Sequence, residues 1–221
     1  MADLTGLNPE QASAQIADFY TTIEDLAETF WRQGAEVFME GLSTAWCSPR
    51  AYDFSGHHFP KLYSINTNIE NMAYNICVSA TAAYNYLARS NGSSGIGEDG
   101  YFKKGEQLGP YDDSGYDQYS LKEESPNGIV GMNVAQVKVY LSLFKDAVNT
   151  LVTGLDTVPI DIAFYDPEGV LKESYKAIIN NMIKEINDLT AVMYKDLDDA
   201  FDAEINTIML AKDNAVGTLS A

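Results

Sequence analysis

Positive charge, cysteine and long apolar stretches are all scarce in this sequence. Its 221 residues include 14 Lys and Arg against 32 Asp and Glu, which gives a formal net charge of −18. Binding a phosphate backbone or an anionic lipid surface requires cationic side chains that displace counterions, so this balance argues against nucleic acid and membrane-surface partners. No apolar run approaches the ~20 residues of a membrane-spanning helix. The sequence therefore predicts no membrane insertion.

Cys47 and Cys77 are the only cysteines. Two cysteines make no framework of disulfides, which is typical of proteins made in a reducing cytoplasm. The N-terminal residues also lack the basic segment followed by an apolar segment that marks a cleavable signal peptide. We therefore expect synthesis in the cytoplasm, and export by a route without such a signal stays open.

The pattern that is present is helical. Hydrophobic residues make up 46% of the chain, and in four stretches they recur at steps of three and four, which is typical of amphipathic helices. Helix start and stop signals flank these stretches: Asn8-Pro9, Asn91-Gly92, Asn133 with Gln136, and Asp166-Pro167. The apolar stripe of the last stretch passes through Ile178 and Ile205. The sequence thus predicts an all-α fold.

The helical stretches group into two hairpins, over residues 1–95 and 132–221. Residues 96–131 between them are rich in Gly, Ser, Asp and Tyr and show no sustained period, so they predict an irregular connection with a short hairpin at about 101–119. Each helical hairpin can bury its apolar faces only against the other. We therefore expect one elongated four-helix bundle domain.

The two hairpins also indicate an internal repeat. Placing Leu42 opposite Leu155 aligns their corners without a gap. The matched pairs are Gly41 with Gly154, Thr44 with Thr157, Tyr52 with Tyr165, Asp53 with Asp166, and Gly56 with Gly169. We interpret the match as a duplication. It predicts equivalent corners, in which Asp53 and Asp166 cap the outgoing helices.

The sequence contains three motifs of the kind found in cofactor, metal or catalytic sites, and each lacks residues or a sequence context that such a site requires. Residues 95–100 fit the dinucleotide-binding pattern, but they follow a helix and lead into Tyr-Phe-Lys-Lys, so we interpret them as loop. His57 and His58 lack the glutamate three residues earlier that a di-iron bundle requires, and we interpret them as a surface pair. No His and Asp motif supports Cys47 as a nucleophile.

The acidic residues are likewise weak evidence for a site. Asp196, Asp198, Asp199, Asp202 and Glu204 are interpreted as a solvated helix face. Asp112, Asp113 and Asp117 lack the glycine and terminal glutamate of an EF-hand loop. The sequence therefore predicts no catalytic residue, no cofactor and no metal site, although weak cation binding stays open. We do not expect an enzyme.

The first hairpin corner carries the residues that point to a family. The sequence from Trp46 to Phe54, Trp-Cys-Ser-Pro-Arg-Ala-Tyr-Asp-Phe, lies between two long helical stretches and resembles the hairpin turn of the WXG100 (ESAT-6-like) proteins. Trp46 takes the place of the motif's tryptophan, Ser48 stands at its glycine, and Phe54 takes the place of the following aromatic residue. Pro159 stands opposite Trp46 in the second corner. The candidate corner residues are Trp46, Ser48, Tyr52, Asp53, Phe54, Phe164, Tyr165 and Asp166.

The same family carries a tyrosine followed four residues later by an acid as part of its export signal. Tyr194 and Asp198 have this form in the last helical stretch, as do Tyr20 and Glu24 in the first. The resemblance implies a small helical protein made in the cytoplasm of a Gram-positive bacterium. It would be exported by a type VII secretion system, or chaperone cargo for it, and its partner would be helical, such as a secreted toxin or the secretion machinery.

A second interpretation is a structural or surface-assembly subunit, phage- or envelope-associated, that makes its contacts through the Tyr-rich residues 96–120. Packing at a hairpin tip also explains the aromatic corner residues as well as recognition does. The identity of the partner and self-association of the chain stay open at this stage.

Overall fold

The structure is a computed structural model that describes residues 8–97, 102, 119–128, 130–161, 166 and 168–219. These residues form an all-α helical bundle with almost no strand, so the predicted fold class is confirmed. The elements in chain order are α1 (Pro9–Phe30), a π-helical segment (Trp31–Ala35), α2 (Glu36–Ala45), β1 (Trp46–Cys47), α3 (Pro49–Ser90), β2 (Gly131–Met132), α4 (Val134–Thr157) and α5 (Val170–Leu219).

Two helix starts follow the predicted capping signals. The side-chain oxygen of Asn8 accepts hydrogen bonds from the backbone N–H groups of Glu10 at 3.0 Å and Gln11 at 3.2 Å. The Asn133 side chain accepts from the N–H of Gln136 at 3.2 Å. These bonds satisfy amide groups that have no partner inside the helix, which is why α1 and α4 begin where they do.

The end of α3 also follows its predicted signal. Gly92 has a φ of +69°, in the left-handed region that favours glycine. Its N–H donates to the carbonyl of Arg89 at 3.1 Å, and the N–H of Ser93 donates to the carbonyl of Ala88 at 2.8 Å. This pair of bonds is a Schellman cap, and it ends the helix at Ser90.

The start of α3 corrects a prediction. The helix begins at Pro49, and the hydroxyl oxygen of Ser48 accepts a hydrogen bond from the N–H of Ala51 at 3.0 Å. Ser48 is therefore the cap and Pro49 occupies the first helical position, where no amide hydrogen is needed. Asp53 lies inside the helix, so its predicted capping role is wrong. The Asp166 carboxylate does accept from the N–H of Lys172 in the first turn of α5, at 2.9 Å.

The predicted equivalence of the two corners holds only on their incoming side. The hydroxyl of Thr44 donates to the carbonyl of Gly41 at 2.8 Å, and the hydroxyl of Thr157 reaches the carbonyl of Gly154 at 3.4 Å. Beyond the threonines the corners differ. Residues 46–48 join α2 to α3, whereas residues 158–169 join α4 to α5. The prediction of matching corners is wrong here, because the Ser48-Pro49 start signal has no counterpart in the second copy.

The chain divides into two compact units, and each takes segments from both predicted hairpins. Unit 1 comprises Met1–Trp31, Ser64–Tyr111 and Val148–Glu185, and unit 2 comprises Arg32–Tyr63, Asp112–Ala147 and Ile186–Ala221. Each unit therefore contains helix segments of the first hairpin together with segments of the second. The predicted short hairpin at 101–119 lies outside the described residues, apart from Phe102 and Tyr119.

Unit 1 has an apolar core in which the predicted stripe of α1 is buried. Its core residues on α1 are Ala12, Ile16, Phe19, Ile23, Ala27 and Phe30, and those on the other helices include Ile69, Ile76, Tyr84, Leu151, Leu155 and Tyr175. On α5, Ile179 is buried together with Tyr175, while Ile178 is 44% exposed. The predicted stripe was thus misplaced by one residue at this point of α5.

Unit 2 has a more aromatic core and contains the small sheet. Phe38 of α2 and Phe144 of α4 are both fully buried and stack with ring centroids 4.7 Å apart. β1 pairs with β2 antiparallel, with Trp46 opposite Met132. The N–H of Ser48 donates to the carbonyl of Lys122 at 3.0 Å. The end of the long connection therefore lies along the first corner. Two-residue strands are too short to show the alternating pattern that would predict this pairing from the sequence.

Two glycines offer a first prediction about packing. A Cβ at Gly41 of α2 would overlap the ring of Tyr140, whereas a Cβ at Gly56 of α3 would meet nothing within 4 Å. We expect Gly41→Ala to lower the free energy of unfolding by about 1–3 kcal/mol through overpacking. Gly56→Ala should raise it by up to about 1 kcal/mol, because alanine is the better helix former. Urea denaturation of both variants checks this, and equal effects would contradict the close approach at Gly41.

Candidate functional site

The first corner buries its tryptophan against α5. Trp46 is 1% exposed, and its ring centroid lies 5.4 Å from that of Phe54 in the first turns of α3. Its indole N–H donates a long hydrogen bond of 3.4 Å to a carboxylate oxygen of Glu204 on α5. Glu204 is itself only 4% exposed, and its other oxygen lies 4.0 Å from the guanidinium of Arg50. Trp46 thus joins the α2–α3 corner to α5 within unit 2.

The remaining corner residues divide into buried and exposed ones. Ser48 and Phe54 are buried, and Ser48 is occupied in capping α3. Tyr52 is 52% exposed, and Asp53 is exposed beside it. Phe164 and Tyr165 of the second corner lie outside the described residues. Among the predicted corner residues that the structure describes, Tyr52 and Asp53 are therefore the pair that a partner could contact directly.

The candidate export pair also combines a packed tyrosine with an exposed acid. The ring of Tyr194 packs edge-on against Phe144 at 6.2 Å between centroids, and the ammonium of Lys145 lies 4.7 Å from the Tyr194 centroid. Burial raises the pKa of Tyr194 to about 12, so its phenol is protonated at neutral pH. Asp198, one turn further along α5, is exposed.

The second pair of this form, Tyr20 and Glu24, lies on α1 in unit 1. Tyr20 packs against Tyr74 and Phe102, at 6.3 and 5.2 Å between centroids. Burial and the neighbouring Glu24 carboxylate raise the pKa of Tyr20 to about 12. Glu24 is exposed. The two pairs resemble each other locally, but only Tyr194 and Asp198 share a unit with the Trp46 corner.

His58 was predicted to lie on the surface, and this is wrong. Its side chain is 3% exposed, packs against Phe54 at 4.6 Å between ring centroids, and forms a 2.9 Å hydrogen bond with the Asp196 carboxylate. Burial lowers the pKa of His58 below its usual 6.5, and the bond to Asp196 opposes this shift. Burial therefore favours the neutral form of His58.

His57 is exposed, as predicted, and completes a group with His58 and Asp196. Its Nε2 accepts a 2.7 Å hydrogen bond from the ammonium of Lys61. One ring nitrogen of each histidine and one carboxylate oxygen of Asp196 lie within 4.8 Å of one another. Within the part of the chain that the structure describes, this is the group that could hold a metal ion.

An open groove runs beside this group between α3 and α5. It is lined by Arg50, Asp53, Phe54, His57, His58, Asp196, Asp199, Ala200 and Ala203. Sequence reasoning missed the group because Asp196 lies 138 residues from His58 along the chain. No spacing rule connects residues so far apart. The interpretation of 196–204 as a solvated face is accordingly wrong for Glu204, which is 4% exposed. The Asp196 side chain stays 42% exposed but also bonds to His58.

The other candidate groups do not form a site among the described residues. The thiol of Cys77 is buried, donates to the carbonyl of Ile16 at 3.5 Å, and has a pKa raised by burial to about 12, so it is a poor nucleophile. The N–H of Ile96 donates to the side chain of Asn85 at 2.7 Å. Residues 98–100 of the glycine-rich motif lie outside the described residues, as do Asp112, Asp113 and Asp117 and most of the Tyr-rich residues 96–120.

The fold and corner define the class of protein as an all-α helical bundle with a buried tryptophan corner. Among the helices that the structure describes, none combines the length and the apolar character needed to cross a bilayer. Comparison of the chain with protein-family models, with curated proteins and with solved structures gave no match.

Proposed function

We propose that this protein is a non-enzymatic, ESAT-6-like interaction protein that is exported by a type VII secretion system or acts as a targeting partner for such export. The observation that carries the proposal is the position of Trp46. It lies at a tight corner between α2, which follows α1 through the π-helical segment, and the long helix α3, and it bonds to α5, the helix that carries Tyr194 and Asp198. The two sequence features that resemble the WXG100 family therefore occur together in unit 2.

The surface chemistry of unit 2 supports a role in recognition. Tyr52 and Asp53 are exposed at the start of α3, and Asp198 is exposed on α5. A half-exposed tyrosine offers a partner an apolar ring with a hydrogen-bonding tip, and tyrosine is enriched at protein interfaces. The neighbouring Asp53 carboxylate adds a hydrogen-bond acceptor. The net charge of −18 favours a partner with a basic surface.

This chain has Ser48 where the family motif has glycine. The local structure explains the serine. A serine at this position caps α3, as its hydrogen bond from Ala51 shows. Glycine would forgo the side-chain bond. The tight turn is kept, because only residues 46–48 separate α2 from α3.

Export from a Gram-positive host that has a type VII system tests the proposal. We expect the chain to accumulate in the medium or on the cell surface and to stay in the cells when the FtsK-like secretion ATPase is deleted. If the chain is instead a targeting partner, it should stay in cells but co-purify with one helical protein in stoichiometric amount. Retention in cells without such a partner would contradict both forms of the proposal.

Matched variants identify the signal itself. Asp198→Asn removes the exposed acid on α5 without changing its shape, and Glu24→Gln does the same for the pair on α1. We expect the first to reduce export, or partner binding, by about tenfold, since a hydrogen bond to a charged group contributes ~1.5–3 kcal/mol. Glu24→Gln should leave it unchanged. Quantitative immunoblots of cells and medium measure the ratio, and equal export of the two variants would exclude Asp198 as part of the signal.

A further inference from the structure

We propose that His57, His58 and Asp196 bind a divalent first-row transition ion such as Zn²⁺, which links α3 to α5 within unit 2. The three side chains supply two imidazole nitrogens and one carboxylate oxygen, and all three lie within 4.8 Å of one another. Such ligands bind Zn²⁺ at about 2.0–2.2 Å, so their donor atoms lie roughly 3–4 Å apart around the ion. Small rotations of the side chains therefore suffice to admit it.

The surroundings favour a cation. Asp53 and Asp199 line the same groove as the three ligands, and the chain as a whole carries a net charge of −18. The open side of the groove leaves a position for water as a fourth ligand. Each imidazole offers a ring nitrogen whose lone pair a metal ion can use. The ion would replace the hydrogen bond between His58 and Asp196, with the His58 proton carried on Nδ1 when Nε2 is the ligand.

Lys61 gives the proposal a distinctive consequence. Its ammonium donates to Nε2 of His57 at 2.7 Å, so the lone pair of that nitrogen is already engaged in a hydrogen bond. Binding of a metal at either ring nitrogen requires this hydrogen bond to break. Lys61 is therefore a competitor of the metal, and its positive charge adds electrostatic repulsion.

The test uses the full chain without a histidine tag, freed of metal by a chelator. Calorimetric titration with ZnCl₂ should show one ion bound per chain, and cobalt(II) should give visible absorption bands typical of nitrogen and oxygen ligands. We expect His57→Ala and Asp196→Asn to weaken Zn²⁺ binding at least tenfold, since each removes a ligand. Both residues have solvent-accessible side chains, so these variants should fold.

Two control variants separate the site from other sources of binding. Asp202→Asn removes an exposed acid of α5 that does not line the groove, and Cys47→Ser removes the partly exposed thiol. Both should bind Zn²⁺ like the unmodified chain. Lys61→Met should tighten binding several-fold, an effect that a merely structural role of Lys61 would not produce.

Thermal unfolding supplies an independent readout. Zn²⁺ at about 100 times its Kd should raise the unfolding midpoint of the unmodified chain by roughly 5 °C or more. The same Zn²⁺ concentration should raise the midpoint of Asp196→Asn by clearly less, because that variant binds the ion more weakly. The proposal is overturned if Zn²⁺ binds His57→Ala and Asp196→Asn as tightly as the unmodified chain, if Cys47→Ser abolishes binding, or if Lys61→Met fails to tighten it.

Discussion

Replacing Trp46 by alanine is expected to lower the free energy of unfolding by about 3–5 kcal/mol, the range for a large aromatic side chain removed from a core. The indole is 1% exposed, and its removal leaves a cavity beside Phe54. The buried Glu204 carboxylate also loses the N–H that points at it. An unsatisfied buried acceptor adds to the cost of the cavity.

The second tryptophan of the chain provides the control. Trp31 lies in the π-helical segment and is half-buried, so Trp31→Ala should cost clearly less than Trp46→Ala. Trp46→Phe should retain part of the packing and lose the hydrogen bond to Glu204. Urea denaturation followed by circular dichroism measures all three. A loss below about 1 kcal/mol for Trp46→Ala would show that the corner is not packed, since surface substitutions cost ~0.5 kcal/mol or less.

The stacked pair of Phe38 and Phe144 is expected to show the second large effect. Phe38 belongs to the first predicted hairpin and Phe144 to the second, and both are fully buried in unit 2. Each substitution by alanine should cost about 3–5 kcal/mol. Because the rings stack at 4.7 Å, the double variant should cost less than the sum, with a coupling of about 0.5–1.5 kcal/mol.

Leu143 is the matched control for this pair. It precedes Phe144 on α4 but is 47% exposed, so Leu143→Ala should change the free energy of unfolding by ~0.5 kcal/mol or less. Strictly additive effects of Phe38→Ala and Phe144→Ala would contradict the contact. That result would also remove the most direct evidence that the two hairpins pack against each other.

Helix capping signals predicted the structure correctly where the stabilising hydrogen bond joins residues within one turn of the chain. Asn8 and Asn133 cap their helices because a side-chain oxygen reaches an amide two or three residues away. The repeat predicts the start of α3 at Asp53, but Ser48-Pro49 is a complete start signal by itself, and α3 begins at Pro49. The family resemblance and the function it implies stay a prediction that the export experiment decides.

The sequence by itself determined that this protein is helical, that α1 and α4 begin at their asparagine caps and α3 ends at Asn91-Gly92, and that α1 has a buried apolar face. Helix capping and apolar periodicity depend only on neighbours within a few residues, so both can be predicted from one amino-acid sequence. Only the tertiary structure decided that His58 and Glu204 are buried, that Asp196 contacts His58, and that β1 pairs with β2. The partners in those contacts are as far apart as 138 and 158 residues, and no local pattern records which distant helix faces a given side chain.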